Sequence, residues 1–256
     1  MIFTFSATGN SKYVAERIAA TTDDRLIFLR DAIRSRSYRY QIGREERVGF
    51  VVPVYFQGIP SILRFFLEKL ELTAGGKEPY IYVVFTCGQW TGDAAGQVSA
   101  LLKKKGLSLS AQFAVTMVDN YVPAFTVPGE EEISRILDEA EAPIDDACRV
   151  IRARGAGDYN RCKGPAPALQ TAAMYPTYAH GRSTKPFVVT DHCISCGLCQ
   201  EICPCGAILI SGGKPAWIKP KCVHCFGCLH RCPAQAIHWK NASEAHGRYY
   251  NPRVEK

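Results

Sequence analysis

The stretch 193–204, CISCGLCQEICP, returns at 222–233 as CVHCFGCLHRCP. Each run reads Cys-x2-Cys-x2-Cys-x3-Cys-Pro, the interval pattern of bacterial [4Fe–4S] ligation. A tetranuclear cluster takes one thiolate per iron, and two-residue gaps let one short loop wrap three corners. The fourth cysteine of each run then reaches the other cluster. Cluster one is expected to take Cys193, Cys196, Cys199 and Cys232, and cluster two Cys222, Cys225, Cys228 and Cys203. Structural zinc also uses Cys-x2-Cys pairs, but it needs only four ligands and neither the third cysteine nor the Cys-Pro ending. The segment 203–208, CPCGAI, matches 232–237, CPAQAI, so residues 187–240 read as an internal repeat forming one small domain.

Upstream of that repeat the pattern changes. Residues 1–154 alternate short apolar runs with segments of helical period. Met1–Phe5 is a first strand, followed by a turn and a helix over Ser11–Ala20 with Val14 and Ile18 four apart. Leu26–Leu29 is a second strand, and residues 30–47 read as a polar helical turn and loop. Val48–Val54 and Tyr80–Thr86 are continuous apolar runs of the kind buried on both faces of a parallel sheet. Between them Pro60 opens a helix carrying Ile62, Leu63, Phe66, Leu67 and Leu70. A helix over Ala94–Lys105, a fifth strand over Ala111–Val118 and a helix over Glu130–Arg152 complete the series, with Pro143 expected to kink or split the last helix. Five strands with helices between them indicate a doubly wound parallel sheet covered on both faces. Residues 155–186 lose the period and fill with Gly, Pro and Tyr, as a connector part of which packs between domains. Residues 241–256 form a polar tail, expected to be loose.

The turn Ser6-Ala7-Thr8-Gly9-Asn10-Ser11 follows strand one and opens a helix. Its hydroxyls and amide, with the free N–H groups of the helix start, suit a phosphate held by neutral donors. It is neither a Walker loop nor a dinucleotide turn. An N-capping turn would favour the same residue types. Two further loops leave the carboxyl ends of strands three and four, where such sheets bind ligands. One is Pro53-Val54-Tyr55-Phe56-Gln57-Gly58, and the other runs Thr86-Cys87-Gly88-Gln89-Trp90. Both set aromatics beside glycine, as a flat ring between aromatic walls requires, and Asn120-Tyr121 after strand five adds a third wall.

On these residues the chain resembles the flavodoxin–ferredoxin fusion family, sometimes called ferrodoxins. Phe5–Ser11 looks like the FMN phosphate loop of flavodoxins, with Ala7 where a glycine is more usual, and Pro53–Pro60 resembles the second flavin loop. The resemblance implies a flavodoxin-like α/β fold with strand order 2-1-3-4-5, then a small α+β bacterial 2[4Fe–4S] ferredoxin domain. It implies FMN and two [4Fe–4S] clusters. Ser6, Thr8, Gly9, Asn10 and Ser11 would hold the phosphate. Pro53 to Gly58, Thr86, Cys87, Gly88, Trp90, Asn120 and Tyr121 would hold the ring.

The remaining features set the class. Of twelve cysteines, the four outside the cluster motifs are Cys87, Cys148, Cys162 and Cys205. Cys148 lies on an apolar helical period and Cys205 has no thiol counterpart in the second repeat. Cys87 lies in a flavin loop, and Cys162 has no partner motif. His192, His224 and His230 flank ligand positions already filled by cysteine. The net charge of +7 gathers in the second part, because residues 1–153 hold eighteen Lys and Arg against nineteen Asp and Glu. That positive charge offsets anionic clusters, and without an aromatic-basic stripe it argues against nucleic acid. No apolar run approaches a membrane span, and Met1 leads straight into Ile2–Phe5 without a basic segment, so a cytoplasmic, anaerobic setting is expected. Flavin and clusters on one chain read as a relay between FMN and an outside redox partner protein. A flavin reductase acting on a small molecule, and a redox-sensing accessory subunit, are the alternatives.

Overall fold

The structure, a computed structural model, describes residues 1–43, 46–75, 78–240 and 242–255. The first domain alternates β1 (Ile2–Thr4), α1 (Asn10–Thr22), β2 (Leu26–Phe28), α2 (Leu29–Arg34), β3 (Arg39–Ile42), β4 (Arg47–Pro53) and α3 (Ser61–Lys69). It continues through β5 (Glu71–Ala74), β6 (Tyr80–Cys87), α4 (Ala94–Lys103), β7 (Ala111–Thr116), α5 (Glu130–Arg152) and β8 (Gly157–Asp158). The main sheet has the order β2-β1-β4-β6-β7-β8, and every pairing in it is parallel. Its first five strands follow the expected doubly wound order. The sixth, β8, comes from the connector and adds two residues beside Ala111 and Gln112.

All eight residues of β6 are buried, as are Val48 to Val52 of β4. These central strands are sandwiched between two apolar layers. One layer is built on α3 and α4 (Leu63, Phe66, Val98, Leu102), the other on α1 and α5 (Val14, Ile18, Ile144, Ile151). Two expectations for this region are corrected. Residues 30–47 are not simply turn and loop, because Arg39–Ile42 pairs with Glu71–Ala74 in a small separate parallel sheet; residues 44 and 45 lie outside the described residues. Pro143 does not split its helix. α5 is one element of 23 residues, with Leu137, Ala140, Ile144 and Ala147 buried on either side of the proline.

The second part holds α6 (Pro167–His180), β9 (Phe187–Val189), α7 (Leu198–Glu201), β10 (Ile208–Ser211), β11 (Lys214–Trp217), α8 (Gly227–His230), β12 (Ile237–Trp239) and α9 (Ala242–His246). Two antiparallel ribbons, β9 with β12 and β10 with β11, frame the cysteine loops. The sequence repeat is also a backbone repeat. Ser195 and His224, Gly197 and Phe226, and Gly206 and Gln235 occupy matching places and all have positive φ.

The two halves are locked together. Val223 joins the core of the first domain, and Arg34 donates to the carbonyls of Glu201 and Cys203. The tail expected to be loose is instead a strap; residues 241 and 256 lie outside the described residues. Tyr249 and Asn251 are buried, and the Asn251 amide donates to Thr8 O at 2.8 Å. Arg253 ties the strap to Asp138 and Glu141 on α5. Its polarity is spent on specific partners, so composition alone misreads it. Among the described residues no helix is long and apolar enough to cross a membrane.

Candidate flavin and cluster sites

A cavity of about 350 Å³ opens at the carboxyl ends of β1, β4, β6 and β7, where a doubly wound sheet leaves room between loops that diverge to opposite faces. Fifteen of the seventeen flavin-site residues expected from sequence line it. Gly9 and Gly58 do not, but each shapes a loop that does. Gly9 caps α1 with φ +94°, and a Cβ there would meet Asn251 Cβ at 2.9 Å. Its amide donates to Ser6 Oγ at 3.1 Å, closing the turn. Gly58 exchanges both backbone hydrogen bonds with Tyr55, at 2.9 and 3.1 Å. Between them Phe56 and Gln57 have φ of 50° and 59°, the left-handed pair that a tight two-residue hairpin turn needs.

Such a turn without central glycine is strained and must be held by its surroundings. The holders come mainly from the connector, joined by Tyr121 from the loop after β7. Phe56 lies near-parallel to Tyr178 of α6 at 5.9 Å and edge-on to Tyr121 at 5.2 Å. Thr171 donates to Gln57 O at 2.6 Å, and Tyr175 donates to Ile59 O at 2.8 Å.

The phosphate turn divides its labour. Thr8 Oγ1 accepts from Asn120 Nδ2 at 2.7 Å, leaving its own hydroxyl hydrogen to give. Ser11 and Thr86 share a buried hydroxyl pair at 2.7 Å. Asn10 lines the cavity, yet its side chain serves the fold. It donates to Val118 O at 3.0 Å and accepts from Tyr249 Oη at 2.6 Å and Asn251 Nδ2 at 3.2 Å. The α1 amides just after Gly9 are the ones a helix leaves without internal acceptors.

The residues present fit a flavin mononucleotide. Trp90, Tyr121, Phe56 and Phe125 supply aromatic walls, with Trp90 and Phe125 partly open to solvent. Gln57 lines the wall as well, although its Oε1 is closed off from the cavity and has no hydrogen-bond partner among the described residues. Gly88 lets Asp119 approach closely, since a Cβ there would meet Asp119 Oδ2 at 2.6 Å.

Sequence reasoning missed the part of the cavity wall that comes from outside the first domain. Met174 and Tyr178 of α6 line it, as do His224, Cys225 and Phe226 from the second cysteine run. The available signal was the connector's apolar, aromatic composition. No period announces α6, because Pro176 sits inside it.

The last cysteine of each run lies among cysteines of the other run. Cys193, Cys196, Cys199 and Cys232 line one small cavity together with Pro233 and Ile237, bringing the fourth cysteine of the second run to the first three of the first. Cys203 packs with Cys222 and Cys228, and also with Cys199 and Cys205, against Ala207 and Ile208. Matching amides serve both crossing cysteines: Ala207 N donates to Cys203 Sγ at 3.2 Å and Ala236 N to Cys232 Sγ at 3.3 Å. Burial pushes the Cys199 and Cys222 thiols up to about 11, and those of Cys225 and Cys228 higher still. Thiols so desolvated become thiolates when a cation replaces the lost water, and iron is that cation in a cluster. Cys205 stands with its sulfur 3.9 Å from Cys203 Sγ. Its hydrogen bond to that sulfur lowers Cys203 and raises Cys205 itself.

The histidines are not ligand substitutes in this arrangement. His230 is buried and neutral. Its Nδ1 accepts from the Tyr249 amide at 3.1 Å, so Nε2 carries the hydrogen given to Asn120 O at 2.9 Å. His224 packs edge-on to Trp239 at 4.7 Å, and burial lowers it to about 4. His192 is exposed.

Residues 1–119 match a family model described as a flavodoxin domain, and residues 192–237 match one described as a 4Fe-4S dicluster domain. The cofactors are accordingly FMN and two [4Fe–4S] clusters. No curated protein matches the chain. Similar solved structures include the Trp repressor binding protein from Bacillus subtilis, at 16% identity over 59% of this chain and 96% of that one, with a TM-score of 0.37. The azoreductase AzrA matches at 11% identity over 59% of this chain and 99% of its own, with a TM-score of 0.38. An azoreductase from Bacillus anthracis str. Sterne gives 11%, 59% and 98%, with a TM-score of 0.34.

Proposed function

A flavodoxin domain followed by a 4Fe-4S dicluster domain makes this chain an electron-transfer flavo-iron–sulfur protein, and we propose that it is an internal relay between its clusters and its flavin. FMN exchanges electrons singly or in pairs, whereas an iron–sulfur cluster moves them one at a time. One observation carries the relay reading. Cys225, a ligand expected for cluster two, lines the flavin cavity along with its neighbours His224 and Phe226.

The sequence places a costly residue at that wall. Phe226 has φ 54° where the first repeat has Gly197, and its ring contacts Tyr121 at 5.7 Å and Trp239 at 5.2 Å. A non-glycine residue held in this conformation reflects a demand of the site. Phe226 is buried, and both it and Cys225 line the cavity. The cavity of the other four cysteines shares no residue with the flavin wall. Cluster one is thus the distal member and the entry point for an outside redox partner protein.

Rapid mixing of the anaerobic holoprotein with a low-potential one-electron donor tests the relay. Cluster bleaching should precede flavin reduction, at a rate independent of protein concentration, because fusion holds donor and acceptor together. Cys222→Ser, which removes a ligand of cluster two, should slow flavin reduction at least tenfold. Flavin reduction as fast in that variant as in wild type would end the relay reading.

A further inference from the structure

Two cysteines outside the cluster motifs lie close together beside the flavin cavity, Cys87 in its lining and Cys162 behind it against Thr116. Cys87 ends β6, lines the cavity and is 6% exposed. Cys162 lies in the connector and is half-buried. Nothing in the sequence pairs them, but the fold does. The short strand β8 holds the connector beside β7, and the chain then folds back over the loop after β6. Thr91 N donates to Cys162 O at 2.8 Å, Cys162 N donates to Asn160 Oδ1 at 2.9 Å, and Asn160 Nδ2 donates to Thr91 Oγ1 at 2.9 Å. This staple sets the Cys162 sulfur 3.6 Å from the hydroxyl of Thr116, the residue paired with Cys87 across the sheet. Thr116 thereby brings Cys162 up beside Cys87, close enough for each thiol to shift the ionisation of the other.

The pair is asymmetric. Cys87 is buried and Cys162 is half-buried. Their mutual interaction, helped for Cys162 by the Thr116 hydroxyl, lowers Cys162 to about 6 and, with burial, pushes Cys87 up so that it keeps its proton. An accessible sulfur with thiolate character beside a buried partner thiol is the arrangement that disulfide exchange requires. Cys148, by contrast, is buried in the core layer of α5 with no such partner among the described residues.

We propose that Cys162 and Cys87 form a redox-active dithiol that reduces disulfide substrates beside the flavin cavity, with Cys162 attacking and Cys87 resolving. The Cys162 thiolate attacks one sulfur of an external disulfide, forming a mixed disulfide and releasing one substrate thiolate. Cys87 then attacks Cys162 Sγ, closing the Cys87–Cys162 bond and releasing the second thiolate. The protons of the two cysteines end on the two released thiols. Two electrons have passed from the cysteine pair to the substrate. Turnover needs two electrons and two protons returned to the protein disulfide from reduced FMN, and only that return rests on the relay reading.

The test uses anaerobic holoprotein, with glutathione disulfide as the probe. After an acid quench, free thiols are alkylated and peptides are mapped by mass without reduction. Wild type should yield a peptide cross-linked between Cys87 and Cys162. The Cys87→Ser variant should stall with one glutathione on Cys162, and Cys162→Ser should leave Cys87 unmodified. Modification at Cys162 should run at least tenfold faster than at Cys148. Recovery of Cys87 and Cys162 as fully alkylated free thiols in wild type would overturn the proposal, as would absence of the stalled adduct in Cys87→Ser. The readout is peptide mass and not flavin colour, so failure of the relay leaves this result intact.

Discussion

Removing one hydroxyl, in Tyr178→Phe, should loosen the joint between the domains while sparing the flavin. Tyr178 sits in α6 and is 2% exposed. Its oxygen accepts from the Ser61 amide at 2.9 Å and donates to Val223 O at 3.0 Å, so one atom pins the connector to both halves of the chain. Phenylalanine keeps the ring over Phe56 but strands a buried carbonyl and a part-buried amide. Each unsatisfied buried group costs about 1–3 kcal/mol. Taking the low end for both, because Ser61 retains some access to water, gives about 2 kcal/mol, or a roughly 30-fold larger open fraction. Native-state proteolysis of the anaerobic holoprotein reads this directly, since cleavage follows the open population when reclosing outpaces cutting. Cleavage within 155–186 should speed up about 30-fold, while FMN affinity should change by no more than about twofold. Unchanged cleavage would refute the claim that this hydroxyl is a strut. A large loss of FMN affinity with unchanged cleavage would place its role in the cavity instead.

Four further outcomes follow from the same geometry. Cys232→Ser should destroy the cluster of Cys193, Cys196 and Cys199 and lower iron from about eight to about four per chain; electron paramagnetic resonance showing the second-run cluster lost instead would reverse the ligand assignment. Thr8→Ala should weaken FMN by about 1–3 kcal/mol and leave riboflavin binding nearly unchanged, whereas equal weakening of both, by titration, would make the turn a helix cap only. Asn10→Ala should act mainly on the strap, because its amide bonds Val118, Tyr249 and Asn251, and hydrogen exchange at 249–254 should rise well before FMN affinity falls. The strap should also loosen in acid. Burial raises the Glu141 carboxyl, but hydrogen bonds from Tyr13 and Arg17 and the charges of Arg17 and Arg253 outweigh it and leave the group below its ordinary 4.5. A depressed carboxylate stabilises the fold above its unfolded value and loses that contribution as pH falls through the folded one. Exchange at 249–254, corrected for intrinsic rate, should therefore rise below pH 4.5 in wild type and lose that dependence in Glu141→Gln.

What could be read from the chain follows how local the encoding is. The cysteine intervals are local, and so are the buried runs of β4 and β6, where every side chain points into apolar layers. The small sheet of β3 and β5 was missed although it alternates: Tyr40, Ile42 and Leu72 pack inward between exposed Arg39, Gln41, Glu71 and Thr73, but each run is only four residues long, too short to stand out from a polar loop. The strand β8 is two residues long and exists only because β7 offers it an edge. The strap was misread for a different reason. A buried Asn251 and Tyr249 look polar in a composition window, and only the pairing with Thr8 and Asn10 makes burial affordable. The turn at Phe56-Gln57 carries no glycine to announce its positive φ. Its conformation is imposed by α6, a hundred residues away in sequence.

That imposed turn links the two halves more tightly than a tether would. Phe56 and Gln57 keep their left-handed geometry through contacts with Tyr178 and Thr171. Tyr178 is in turn anchored on Val223, one residue from the second cysteine run's first ligand position. Flavin binding and cluster placement therefore draw on the same contacts. A change that removes the Tyr178 ring from Phe56 and so undocks the cysteine domain altogether, unlike Tyr178→Phe, which keeps that ring in place, should relax the flavin turn, weaken FMN and slow electron entry together. A change confined to the phosphate turn, such as Thr8→Ala, should weaken binding while leaving the reduction rate of bound flavin untouched. The two signatures separate a relay built as one structural unit from a flavoprotein that merely carries its clusters on the same chain.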